Sequence, residues 1–275
     1  MKNTEHKTLA IEVRDLTLAY GSTLIMRDLS FDVYSGEVLI IMGGSGSGKS
    51  TLLKSLIGLL PPASGRILYE STDFWSAAEQ VQNRIRRNMG VLYQQGALWS
   101  SMTLAENISL PLEIFTQLRP KQIEDVVSLK LGLVGLSGQE KAYPSELSGG
   151  MRKRAALARA LALDPKILFF DEPSSGLDPV TARRLDDLIL ELQSSLGTTM
   201  VVVTHDLDSI FTIGTRAVFL EAEQKTITDI GDPRIMRDAS ENPSVREFLN
   251  RGRGEEREQR SEVRGQEEGE ERRQD

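Results

Sequence analysis

The chain holds 275 residues with an apolar share of 39% and a formal net charge of −7, enough apolar material for one large α/β domain or two small ones. A pI near 5.2 argues against nucleic acid as the main partner, because proteins of that kind carry a basic face. No cysteine is present, which excludes disulfides, zinc–thiolate centres and cysteine nucleophiles.

Taken in chain order, apolar–polar alternation predicts strands near 9–18 and 24–33, separated by the turn Tyr20-Gly21-Ser22. Glu37 to Met42 is a short apolar, β-branched strand. It runs into Gly43-Gly44-Ser45-Gly46-Ser47-Gly48-Lys49-Ser50, which fits the phosphate-loop pattern G-x-x-x-x-G-K-[ST] at every fixed position. Thr51 to Leu60 then has helical spacing and stops before Pro61-Pro62. A glycine-rich turn between a strand and a helix start points several N–H groups at one anion, and the helix dipole adds positive potential. Gly43 through Thr51 are therefore the predicted nucleotide contacts. Lys49 would meet the β- and γ-phosphates, and Ser50 would ligate magnesium.

A strand near 66–70 follows, then a polar helix over 76–88 and a buried strand at Gly90-Val91-Leu92-Tyr93. From about 103 to 163 only helical patterns occur, broken at Pro120, Gly132, Gly138 and Pro144. Alternation then resumes with strand 167–171, helix 180–195, strand 199–204, helix 206–213 and strands near 216–221 and 225–230. Such alternation predicts a largely parallel sheet covered on both faces, with the helical stretch as an inserted lobe. Residues 251–275 carry seven Arg, eight Glu and one Asp, with Val263 as the sole apolar side chain; this composition predicts a disordered tail, either solvated or in charged contact with a partner or lipid headgroups. The longest apolar runs, such as Val38 to Met42, fall far short of the roughly 20 residues needed to cross a bilayer. Met1 to Lys7 has no apolar stretch behind it of the signal-peptide kind. The expectation is a soluble or peripheral protein.

Asp171-Glu172 end the apolar strand Ile167 to Phe170 and so fall at the carboxyl edge of the sheet, where ligands of open α/β sheets bind. Beside a phosphate loop, the first acid would hold magnesium and the second would polarise the attacking water. Leu147-Ser148-Gly149-Gly150-Met151 opens a long amphipathic helix, with Ser148 as its N-cap. This is a second helix-start anion site in the same chain.

Leu-Ser-Gly-Gly shortly before Ile-Leu-Phe-Phe-Asp-Glu resembles the signature of ABC-type ATPases, and the resemblance covers residues 8–230. It implies an α/β phosphate-loop NTPase: a RecA-like, mostly parallel sheet core, an N-terminal antiparallel β subdomain and an inserted α-helical subdomain at about 97–160. The ATP-binding domain would span 1–250. By the same resemblance Tyr20 would stack on adenine, and Gln94 would sense magnesium and the γ-phosphate. Ser175 to Asp178 would cross a dimer interface, and His205 would be the switch histidine. A head-to-tail pair is implied, in which Ser148, Gly149 and Gly150 of one copy close over the ATP of the other. Binding then acts as a two-state element biased by ligand charge.

The signature ends in Met151 where most of the family has glutamine. With Gln95 to Trp99, Met102 to Asn107 and Asn242 to Leu249, this is similar to the ATPases of bacterial Mla/MCE phospholipid transporters. That likeness implies a peripheral subunit on the cytoplasmic face of the inner membrane, with an integral membrane permease and an MCE-domain protein as partners and no nucleic acid. Leu98, Trp99, Met102 and Leu104 are more apolar than a solvated loop should be, and they are expected either to cup a permease helix or to pack into the helical lobe's own core. Another cargo, or an ABC ATPase acting on ribosomes or DNA, is the alternative; the latter kinds usually carry two cassettes or a long coiled coil, neither of which is present. A kinase would leave Ser148 to Gly150 and His205 without a role.

Overall fold

A computed structural model describes residues 8–251. Its strands and helices begin with β1 (Leu9–Tyr20), β2 (Thr23–Tyr34), β3 (Val38–Gly43), α1 (Lys49–Leu56), β4 (Ser64–Tyr69), β5 (Thr72–Asp73), α2 (Glu79–Arg87) and β6 (Met89–Leu92). The inserted helices are α3 (Leu104–Phe115), α4 (Pro120–Leu133) and α5 (Gly149–Ala160). After them come β7 (Ile167–Asp171), α6 (Pro179–Leu196), β8 (Thr199–Val203), α7 (Leu207–Ile213), β9 (Arg216–Glu221), β10 (Thr226–Gly231) and α8 (Pro233–Ala239). Residues 243–251 form a further helix.

Two sheets result. The first is antiparallel, in the order β2-β1-β4-β5. The second has the order β10-β9-β3-β8-β7-β6, with β10 antiparallel to β9 and every other neighbour pair parallel. Period-2 side-chain alternation divides the strands of this second sheet between two cores. Val38, Ile40, Met42, Leu168, Phe170, Met200, Val202 and Phe219 face one core with the inserted helices and α6. Leu39, Ile41, Phe169, Val201, Val203, Val218 and Leu220 face the other with α1 and the antiparallel sheet. A strand buried on both faces reads as a continuous apolar run, so the division is hidden in the sequence.

Four differences from the sequence expectation have physical causes. β6 is an edge strand paired only with β7, leaving Val91 and Tyr93 half-buried rather than buried. β5 has two residues, too few for a period to register. The first helix ends at Leu56, so Leu59 is exposed instead of helical. The helix over 243–251 buries Val245, Phe248 and Leu249, and Phe248 meets the Phe219 ring edge-on at 5.3 Å. Arg251 belongs to that helix, so the expected disordered tail loses its first residue; the rest of it lies outside the described residues.

Candidate nucleotide-binding and catalytic site

β3 delivers the chain to the phosphate loop at Gly43, whose φ of +150° and surroundings admit only glycine. A Cβ there would lie 2.3 Å from Leu220 O and 2.8 Å from Ser47 Oγ. At Gly48, with φ +83°, a Cβ would meet Met26 Cγ at 2.7 Å. The β1–β2 hairpin therefore lies directly on the loop, and Tyr20 stands exposed at its turn, paired with Thr23. Helix α1 begins at Lys49 with no side-chain cap and no acidic residue in its first turn. Its leading N–H groups are thus left for an anion. Lys49 Nζ donates to Gly43 O at 2.9 Å and Gly44 O at 2.8 Å, folding the loop over itself. Burial pushes the Lys49 ammonium down, opposed by Glu172 and Asp171 and reinforced by Arg251.

β7 ends in Asp171, and Glu172 turns the chain through a left-handed φ of +47°. That conformation costs a non-glycine residue about 1–2 kcal/mol. It is held by Glu172 N donating to Val203 O at 2.8 Å, and by the Glu172 carbonyl accepting from Ser175 N at 3.2 Å and Lys153 Nζ at 3.3 Å. The Glu172 side chain is 13% exposed, and its Oε1 lies 2.8 Å from Nδ1 of a largely exposed His205. Burial raises the Asp171 carboxyl, as does the Glu172 charge, while Lys54, Lys153 and Lys49 pull it back. Burial likewise lowers Lys153, and the two acids oppose the shift.

The surrounding loops are laced together. Gln94 Nε2 donates to Ser175 Oγ at 3.1 Å, and Ser174 Oγ donates to Asp206 Oδ2 at 3.1 Å. Asp206 caps α7, directly after His205. Among the described residues no group of three or more His, Asp or Glu gathers into a metal cage. Ser50, Gln94 and Asp171 offer a hydroxyl, an amide oxygen and a carboxylate, the hard donors that magnesium takes alongside phosphate oxygens.

Ser148 caps α5, accepting from Met151 N at 3.3 Å. A cleft of about 440 Å³ beside Ser148 is lined by Gly132 to Gly135, Arg154 and α6 residues including Thr181, and by no phosphate-loop residue. Gly149 and Gly150 are expected from sequence to admit a ligand. Gly150 has a second duty: a Cβ there would sit 2.3 Å from Thr181 Cγ2, so the glycine lets α5 approach α6. Asp178 caps α6 through Thr181 N at 3.0 Å, and hydrogen bonds to Thr181 hold its carboxyl below the usual range.

The expected apolar patch is smaller than its sequence suggests. Leu104 is fully buried and Leu98 packs against the core, whereas Trp99 is 58% exposed. Buried Asn107 bonds to Trp99 N and O, fixing that backbone while the indole stays outside. Trp99 lines a groove of about 540 Å³ with Leu110, Pro111, Ile114, Phe115 and Arg87. Sequence reasoning missed Lys153, which lies in the run Arg152-Lys153-Arg154 and reads as a solvated face. It is 6% exposed, and only the fold shows it.

A doubly covered parallel sheet, a phosphate loop at its carboxyl edge and an acid pair two strands away on the same edge define a phosphate-loop nucleoside triphosphatase. The family description "ABC transporter" matches residues 26–175, and the chain belongs to that family as an ATP-binding, ATP-hydrolysing subunit. It is 40% identical over 239 residues to the intermembrane phospholipid transport system ATP-binding protein MlaF of Escherichia coli K12, covering 87% of this chain and 88% of that one. It is 46% identical over 242 residues to the probable ribonucleotide transport ATP-binding protein mkl of Mycobacterium leprae, covering 88% of this chain and 69% of that one. Among solved structures it resembles a dimeric ATP-binding cassette in a post-hydrolysis state with ADP and Pi, at TM-score 0.73 and 29% identity over 81% of this chain and 98% of that one. It also resembles cbiO1 of Clostridium perfringens, part of the ABC transporter complex cbiONQ, at TM-score 0.76 and 27% identity over 89% and 95%. No helix among the described residues is long and apolar enough to cross a membrane.

Proposed function

We propose that this ATPase powers phospholipid movement between the inner membrane and the cell envelope, working as a head-to-tail pair on the cytoplasmic face of a permease with an MCE-domain protein in the assembly. The cargo reading draws on the likeness to MlaF, which extends over nearly the full length of both chains. The relative named for ribonucleotide transport supports a second cargo. Trp99 and its groove, on the flank of the inserted helices, give a permease helix an apolar seat with a cation beside it.

The observation that carries the mechanism is the 2.8 Å contact between Glu172 and His205, on a turn held in a strained backbone. Gly43 to Thr51 wrap the phosphates, Lys49 leaves its loop carbonyls to meet the γ-phosphate, and Tyr20 stacks on the base. Ser50, Gln94 and Asp171 would hold magnesium, which would supply positive charge against the phosphate oxygens. Glu172 orients water for in-line attack, and His205 fixes that carboxylate and reads the γ-phosphate. Ser148 to Gly150 and Asp178 serve the second copy's nucleotide. Loss of the γ-phosphate removes the bridge between copies and the pair reopens.

The test is purification from detergent-solubilised membranes, with identification of co-eluting chains and bound small molecules. Phospholipid and an MCE-domain chain support the proposal. Ribonucleotide uptake lost on deletion, without retained lipid, favours the second cargo.

A further inference from the structure

Three successive cations follow the Ser148 turn, and each donates to backbone carbonyls. Arg152 Nη1 reaches Leu147 O at 2.6 Å, and Arg154 Nη1 reaches Val134 O at 3.1 Å and Gly135 O at 3.3 Å. Both bind the helical insert to itself. Lys153 points elsewhere: its Nζ donates to Gln94 O and, at 3.3 Å, to Glu172 O. It is 6% exposed. An ammonium buried against two carbonyls is costly to desolvate, a cost that the nearby charges of Asp171 and Glu172 offset only in part, and an uncharged side chain of equal length would fill the same space without it. What such a side chain could not supply is the pair of donor bonds to Gln94 O and Glu172 O.

Those donors hold the places that matter for hydrolysis. The Glu172 carbonyl belongs to the left-handed turn from which the carboxylate reaches His205. Gln94 opens the segment that α5 also grips through Arg159, whose guanidinium donates to Gly96 O at 3.2 Å and Ala97 O at 2.7 Å. Lys153 stands five residues after Ser148 on one helix, about 7.5 Å along a rigid rod. A shift of the Ser148 turn therefore reaches Glu172 without crossing a flexible joint.

We propose that Lys153 is a positioning residue for hydrolysis, tying the helix that opens at Ser148 to the backbone of Glu172 and Gln94. Through it, α5 seated against one nucleotide sets the carboxylate that serves the other. This rests on the reading of Glu172 as the group that orients water.

The experiment compares steady-state kcat, KM and ATP affinity of the full chain with Lys153→Met, Lys153→Arg, Glu172→Gln and the Lys153→Met/Glu172→Gln double variant. Lys153→Met is expected to lower kcat about tenfold or more with KM and ATP affinity within about twofold, and Lys153→Arg to recover most of the loss. On the Glu172→Gln background the same change is expected to cost less than about twofold, because both act on one group. If Lys153→Met fails to fold, Lys153→Gln carries the same comparison. A kcat within about twofold of the parent, or a loss that multiplies in full onto Glu172→Gln, overturns the proposal. If Glu172→Gln itself turns over normally, the underlying reading fails; if Glu172→Gln is inactive and Lys153→Met is not, only the role of Lys153 fails.

Discussion

Glu172 Oε1 and His205 Nδ1 lie 2.8 Å apart, joining the end of β7 to the end of β8 across the carboxyl edge of the sheet. Positioned acid–base groups contribute about 10²–10⁴-fold to rate. Glu172→Gln should therefore bind ATP as the parent does, lose at least about 100-fold in turnover and accumulate as a dimer with ATP. Equilibrium ATP binding, phosphate release and size-exclusion chromatography check these points, and a normal phosphate-release rate would remove Glu172 from the mechanism.

Gly150 is packed against Thr181 Cγ2, which a Cβ would approach to 2.3 Å. Threonine is stiff at χ1, so the contact cannot relax cheaply. Gly150→Ala is expected to destabilise the protein by about 1–3 kcal/mol. Adding Thr181→Ser, which removes the methyl and keeps the hydroxyl, should restore most of it in denaturant unfolding. An unchanged midpoint for Gly150→Ala alone would show that the two helices separate freely.

Asp186 on α6 is 2% exposed and accepts from Ser209 Oγ of α7 at 2.9 Å. Burial raises its carboxyl from 3.8 to about 6; Asp206 and Asp187 add to the shift, while Ser209 and Arg183 oppose it. A raised folded-state value means stability that is complete below pH 3.8 and lost as pH rises through about 6. Asp186→Asn should thus raise Tm by about 2–4 °C at pH 8, the shift that 1 kcal/mol makes in a domain of this size. At pH 4 the gain should vanish. Thermal melts at both pH values decide it, and an equal gain at both would point to packing instead of charge.

How much of this was legible beforehand differs by kind of residue. The phosphate loop, Asp171-Glu172 and the capped turn at Ser148 were readable because each needs particular residue types at fixed spacing. Lys153 was not, since nothing local separates a buried ammonium from the solvated arginines on either side. The Trp99 patch was half legible. Apolarity marked the segment, but the bonds from Asn107 that keep the indole outside while Leu104 turns inward depend on tertiary contacts. The short β5 and the helix over 243–251 escaped because their apolar faces make sense only against the sheets that they cover.

Trp99→Glu puts a charge into the groove shared with Ile114 and Phe115. The isolated ATPase rate should stay within about twofold, the range expected for a surface change. Co-purification with the membrane subunit should be lost. An undiminished yield of the complex would place the permease elsewhere.

The most direct test of the central claim is a structure of Glu172→Gln with ATP and magnesium. It should show two copies with Ser148 Oγ at hydrogen-bond distance, about 3 Å, from the γ-phosphate held by Lys49 of the other copy. A well-ordered assembly in which Ser148 stays away from every γ-phosphate would contradict the account.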